Sequence, residues 1–128
     1  MAAYRILVVD DEQDFLETLV NRLIKRKFEA IGVLSGEEAL SKMKTGLFDA
    51  VILDIKMPGG MDGIEALRKM KKIQPSAEVL LLTGHGSIET SIEGVKLGAF
   101  DYLLKPVRLE ELLEKLSLGF EKKDLQVD

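Results

Sequence analysis

Five short apolar runs, each followed by a stretch with helical spacing, constrain this chain more than any other feature. The runs are ILVV at 6–9, AIGVL at 30–34, AVIL at 50–53, VLLL at 79–82 and FDYLL at 100–104. Four or five residues is the length of a strand, and runs without polar alternation suit strands covered on both faces. Between them, apolar residues recur at helical intervals: Phe15, Leu16, Leu19, Val20, Leu23 and Ile24, then Ala39, Leu40 and Met43, then Ile64, Leu67, Met70 and Ile73. Ile88, Ile92 and Val95 mark a fourth helix, and Leu109, Leu112, Leu113 and Leu116 a fifth. Buried strands alternating with amphipathic helices require right-handed crossovers between parallel neighbours. The expectation is an α/β fold, a doubly wound five-stranded parallel sheet with helices on both faces.

A chain of 128 residues without cysteine can form one domain that buries roughly two-thirds of its unfolded surface, and it offers no disulfide or thiolate metal site. Its apolar runs fall far short of the roughly 20 residues a membrane span requires. The opening MAAYR lacks the apolar core of a signal peptide, so a cytoplasmic protein without membrane contact is expected. A formal net charge of -4 provides no basic patch, which argues against nucleic-acid binding by this segment.

In a doubly wound sheet, sites form at the carboxyl ends of the strands. The first run ends in VVDDE, the third in ILDIK, the fourth in LLTGHG, and the fifth leads into YLLKP. That edge therefore presents Asp10, Asp11, Asp54, Thr83 and Lys105. Each alone reads as a helix cap, a loop residue or a surface lysine. Together they are harder to dismiss, because like charges about 4 Å apart repel by roughly 4 kcal/mol at an effective dielectric of 20. Three carboxylates against one lysine call for a divalent cation or a raised pKa. Hard oxygen ligands, with no histidine or cysteine at ligand spacing, favour Mg2+ (or Mn2+) over zinc. Carboxylates, a cation, a hydroxyl and an ammonium suit phosphoryl transfer, whose transition state spreads charge over oxygens.

The motifs VVDDE, LDIKMP, MDGIEAL, LTGHGS and GAFDYLLKP, in this order and spacing, resemble the receiver domain of two-component response regulators of the CheY-like superfamily. The resemblance covers nearly the whole chain. It implies a flavodoxin-like (βα)5 sheet in strand order 2-1-3-4-5, with residues 1–120 as the receiver domain and 121–128 as a polar tail or the start of a linker. It implies that Asp54 is the phosphoacceptor, taking a phosphoryl group from a sensor histidine kinase or phosphotransfer protein. Asp11 would bind the metal directly, Asp10 largely through water, and the backbone carbonyl of Lys56 would join Asp54 as a further ligand. Thr83 would donate a hydrogen bond to the phosphoryl group, Lys105 would pair with it, and Tyr102 would act as the switch aromatic. The peptide bond between Lys105 and Pro106 is expected to be cis. Lys56 and His85 would tune the lifetime of the acyl phosphate; His85 is not expected to bind metal. The domain would be a switch rather than an enzyme with external substrates. Its face of fourth helix, fifth strand and fifth helix would control an output domain or a partner, including a phosphorylation-dependent homodimer. Gly94, which costs a helix about 1 kcal/mol relative to alanine, makes the fourth helix easier to shift.

Three other readings compete. A small flavin-binding electron carrier shares the architecture, but DDEQD after the first strand would repel a phosphate. An aspartate-nucleophile phosphatase carries two aspartates flanking one residue, whereas Asp54 is followed by Ile55 and Lys56. A docking-only receiver that is never phosphorylated is disfavoured by the intact acidic, hydroxyl and lysine set. One detail departs from the common receiver pattern: Gly59 and Gly60 stand between Pro58 and MDG where one residue is usual. The extra residue falls after Lys56, so it is expected to reshape the loop and the start of the third helix without moving the metal carbonyl.

Overall fold

The computed structural model describes residues 3–125. Strands β1 (Arg5–Val9), β2 (Glu29–Val33), β3 (Ala50–Asp54), β4 (Glu78–Thr83) and β5 (Asp101–Leu104) alternate with helices α1 (Gln13–Lys25), α2 (Gly36–Thr45), α3 (Gly63–Ile73), α4 (Ile88–Lys96) and α5 (Leu109–Leu125). A 3-10 turn, His85–Ser87, precedes α4. The strands form one parallel sheet in the order β2-β1-β3-β4-β5, the arrangement expected for this family of folds.

Successive strand side chains point to opposite faces, and each face has its own core. Leu7, Val51, Leu53 and Leu81 meet Leu40 and Met43 of α2 and Leu67 and Met70 of α3. Ile6, Val8, Ile52 and Leu82 meet Leu16, Leu19 and Leu23 of α1 and Leu112 and Leu116 of α5. The helix starts follow their capping chemistry. Ser35 accepts a hydrogen bond from the Glu38 amide at 3.1 Å, and Asp62 accepts one from the Glu65 amide at 2.9 Å.

Three features depart from the pattern read off the sequence. Complete cover on both faces holds for β3 and β4 and nearly so for β1, but β2 and β5 are edge strands and only partly buried. Their apolar composition does not reveal that each has a neighbour on one side only. The apolar stripe of α4 faces the wrong way: Ile92 is 44% and Val95 37% exposed, while Ser91 and Gly94 are buried. A Cβ at Gly94 would stand 2.6 Å from Leu81 Cδ1, so close packing on the sheet, beyond helix propensity, explains the glycine. Finally, α5 continues to Leu125, so residues 121–125, expected as a polar tail or the start of a linker, lie within the helix. Phe120 anchors that stretch, buried with its ring stacked on Tyr4 at 3.9 Å; residues 126–128 lie outside the described residues.

Gln74, which caps α3, ties the far end of the sheet together. Its side chain accepts from the Phe48 amide at 3.0 Å and donates to the carbonyls of Met43 and Gly46 at 2.7 and 2.6 Å. Gln74 is buried, so truncation strands polar groups away from water. Gln74→Ala is expected to destabilise the domain by about 1–3 kcal/mol, measured by urea unfolding, with little effect on the opposite end of the sheet.

Candidate functional site

Parallel strands align their carboxyl ends, so Asp10 (after β1), Asp54 (end of β3), Thr83 (end of β4) and Lys105 (after β5) meet at one edge. The backbone fixes each position. Asp10 donates its amide to Val33 across the first strand gap, Ile55 donates to Leu82 at 2.9 Å, and Lys105 donates to Thr83 at 2.7 Å. Gly63, in MDG, admits the start of α3 against this edge, because a Cβ there would come within 2.4 Å of the Ile55 carbonyl oxygen.

The carboxylates of Asp10, Asp11 and Asp54 offer ligand oxygens within 4.8 Å of one another. Asp10 is fully buried, Asp54 nearly so, and Asp11 is exposed. Lys105 reaches across the edge, its Nζ 3.0 Å from Asp10 Oδ2, 3.4 Å from Asp54 Oδ2 and 3.7 Å from Glu12 Oε1. Asp54 Oδ1 accepts the Lys56 amide at 3.2 Å, and Asp10 Oδ1 accepts the Glu12 amide at 2.9 Å. The Lys105–Pro106 peptide bond is cis.

Burial pushes the Asp54 carboxyl above its usual value; the Lys56 amide opposes this, Asp10 reinforces it, and Lys105 opposes it again. The net rise reflects the burial of the carboxylate first and the like charge of Asp10 second. Burial also works against the Lys105 charge, but the hydrogen bond to Asp10 and the attraction of Asp54, Asp10 and Glu12 outweigh it and hold the ammonium above the usual lysine range. An all-oxygen donor set with a residual negative charge fits a hard divalent cation.

Other residues singled out in the sequence sit around this cluster. The Thr83 side chain is buried and its hydroxyl donates to the Gly84 carbonyl at 3.1 Å. Tyr102 is half-buried against the core on the α2–α3 side. His85 is exposed and lines, with Tyr102, Leu104 and Lys105, a groove of about 490 Å3 beside β5. Lys56 is exposed, its amide but not its ammonium turned to Asp54.

Two contributors escaped the sequence reading. Glu12 was part of the acidic run, with nothing to separate it from its neighbours. Phe15 belongs by spacing to the α1 core stripe, yet the Lys105 ammonium lies 4.8 Å from its ring centroid. Only the meeting of α1 with the segment after β5 exposes either role.

Comparison with known proteins agrees with this geometry. Residues 6–117 match the family model of the response regulator receiver domain. The transcriptional regulatory protein ZraR of Salmonella typhimurium is 39% identical over 113 residues, covering 86% of this chain and 25% of that protein. The regulatory protein AtoC of Escherichia coli is 39% identical over 111 residues, covering 87% of this chain and 24% of that protein. The chain thus spans about a quarter of the length of these relatives. A crystal structure of a response regulator receiver domain protein from Clostridium thermocellum superposes with a TM-score of 0.89 at 36% identity, covering 95% of this chain and 98% of that one. With the family model spanning most of its length, a shared fold and relatives near 40% identity, this chain belongs to the response regulator receiver domain family.

Proposed function

We propose that this receiver domain accepts a phosphoryl group on Asp54 from a phosphohistidine of a sensor kinase or phosphotransfer protein, and that the acyl phosphate alters the α4–β5–α5 face. The observation that carries this reading is the buried Asp54 carboxylate, flanked by Asp10 and Lys105, at the open edge of the sheet. One Asp54 oxygen attacks phosphorus; a P–O bond forms as the P–N bond breaks, and the imidazole leaves with the bonding electron pair. Asp10, Asp11, Asp54 and the Lys56 carbonyl would hold Mg2+ (or Mn2+), whose charge offsets that of the carboxylates and the phosphoryl oxygens. Lys105, held by Asp10 and already 3.4 Å from Asp54, needs little movement to pair with a phosphoryl oxygen. The Thr83 hydroxyl turns from the Gly84 carbonyl to donate to that oxygen. Tyr102, half-buried as the second residue of β5, follows the space Thr83 leaves.

The surface that reads the change is apolar. Ile92 and Val95 on α4 and Leu104 on β5, each 37–44% exposed, face solvent close to the site. The seat of α4 is weak: it presents Ser91 and Gly94 to the sheet, and the buried Ser91 hydroxyl has no hydrogen-bond partner among the described residues. Leaving such a group unsatisfied costs about 1–3 kcal/mol, which favours a helix that can shift. The occupant of this face is an output domain, a partner protein or a second receiver. Relatives named as transcriptional regulators point to transcription as the output. Among the described residues, no helix is long and apolar enough to cross a membrane, in keeping with a cytoplasmic switch.

Asp54→Asn is expected to abolish phosphoryl labelling in the presence of Mg2+; labelling at the wild-type level would overturn the assignment. The same variant is expected to raise Tm of the metal-free domain near neutral pH. A raised carboxyl pKa means that ionised Asp54 destabilises the fold above that pKa, and this cost vanishes as acid protonates the group. Lys56→Ala and His85→Ala are expected to change acyl phosphate decay several-fold, and unchanged decay would remove their tuning role. Adding beryllofluoride is expected to alter amide hydrogen exchange in residues 88–104, and unchanged protection there would exclude the proposed switch face.

A further inference from the structure

The two-glycine turn that departs from the receiver pattern has a fixed partner in the fold. Gly59 sits at φ +91° with open space around its Cβ position, so the turn swings outward there. Gly60 then comes against Glu37, the second residue of α2: a Cβ at Gly60 would lie 3.4 Å from Oε2 and 3.5 Å from Oε1. The next amide, Met61, donates to Glu37 Oε2 at 3.1 Å. Met61 continues the contact by lying over Gly36, whose added Cβ would stand 3.4 Å from its sulfur and 3.2 Å from Ala66 Cβ. The β3–α3 loop is thereby held at three points. Lys56 donates its amide to Asp54 Oδ1 at one end, Gly63 presses on Ile55 at the other, and Glu37 takes the middle.

We propose that Glu37 is a positioning residue that clamps the lengthened β3–α3 loop to the start of α2, and so fixes the stretch carrying the Lys56 carbonyl. This rests on the reading of the acidic edge as a divalent-cation site. A turn one residue longer has more conformations to lose, and without a tether the segment after Asp54 wanders through more of them. A carboxylate accepting a backbone amide restores the order at a point five residues beyond Lys56. The additional glycine and Glu37 therefore act as a pair: one loosens the turn, the other secures it.

The test compares the wild-type domain with Glu37→Ala and Glu37→Gln. Glutamine keeps an oxygen that accepts from Met61, whereas alanine does not. Amide hydrogen exchange in the metal-free protein is followed by NMR at Met61 and across 56–60, and MgCl2 is then titrated while the Asp54 and Lys56 amide signals are read. In Glu37→Ala, the Met61 amide is expected to exchange about tenfold faster, consistent with loss of one hydrogen bond. Exchange across 56–60 should also rise, and Mg2+ affinity should fall several-fold. Glu37→Gln should stay near the wild type in both. Wild-type exchange and affinity in Glu37→Ala would overturn the clamp. So would equal losses of affinity in Ala and Gln, which would mark a charge effect in place of a tether. Should the wild type bind no Mg2+, the cation-site reading fails, and the clamp is judged by the metal-free exchange rates alone.

Discussion

The arrangement of this domain depends on the charge balance at one edge of the sheet, where buried Asp10 and Asp54 share the ammonium of Lys105. Two buried carboxylates side by side are unfavourable in a low dielectric unless a cation lies between them. Lys105 is delivered there by β5, the strand farthest in sequence from β1, so the ion cluster links residues 95 positions apart. Because Asp11 adds a third carboxylate at the same spot, the lysine leaves residual negative charge. The Asp54 carboxyl is raised chiefly by its burial, and the like charge of Asp10 adds to that rise while the Lys56 amide and Lys105 work against it.

Around this rigid edge, the fold distributes its firmness unevenly. The far end is stapled by Gln74, with three hydrogen bonds joining the end of α3 to α2 and to the segment between α2 and β3. The near end is closed by α4, which lies on the sheet through Ser91 and Gly94 and turns Ile92 and Val95 outward. Such inverted packing contributes little burial to the core. It leaves an aliphatic strip, Ile92 and Val95, on a helix that packs against β4 and β5.

Much of the fold was legible because parallel sheets impose strong patterns. The strand runs Ile6–Val9, Val51–Leu53 and Val79–Leu82 are apolar throughout since helices cover both faces, and their positions agree with β1, β3 and β4. The α2, α3 and α5 stripes likewise face the core, as does the α1 stripe except for Ile24, which is 50% exposed near the end of that helix. The α4 stripe misled for a definite reason. Periodicity identifies an apolar face but cannot say whether that face is buried, and at Gly94 the sheet comes so close that only the small-residue face fits. The polar look of residues 121–125 was equally uninformative about the end of α5, which is held by a Phe120–Tyr4 stack joining opposite ends of the chain.

By itself, the sequence determined which residues stand at the carboxyl ends of the strands, because strand length and side-chain alternation are local and Asp10, Asp54, Thr83 and Lys105 follow directly from where the apolar runs stop. It also determined the departure at Gly59 and Gly60. Only the tertiary structure decided that Lys105 rests against Phe15 and Glu12, that α4 shows its aliphatic side to solvent, and that Glu37 meets the amide of Met61 across 24 residues. Those outcomes depend on distances between elements remote in the chain, and no local spacing rule encodes how closely two packed elements approach.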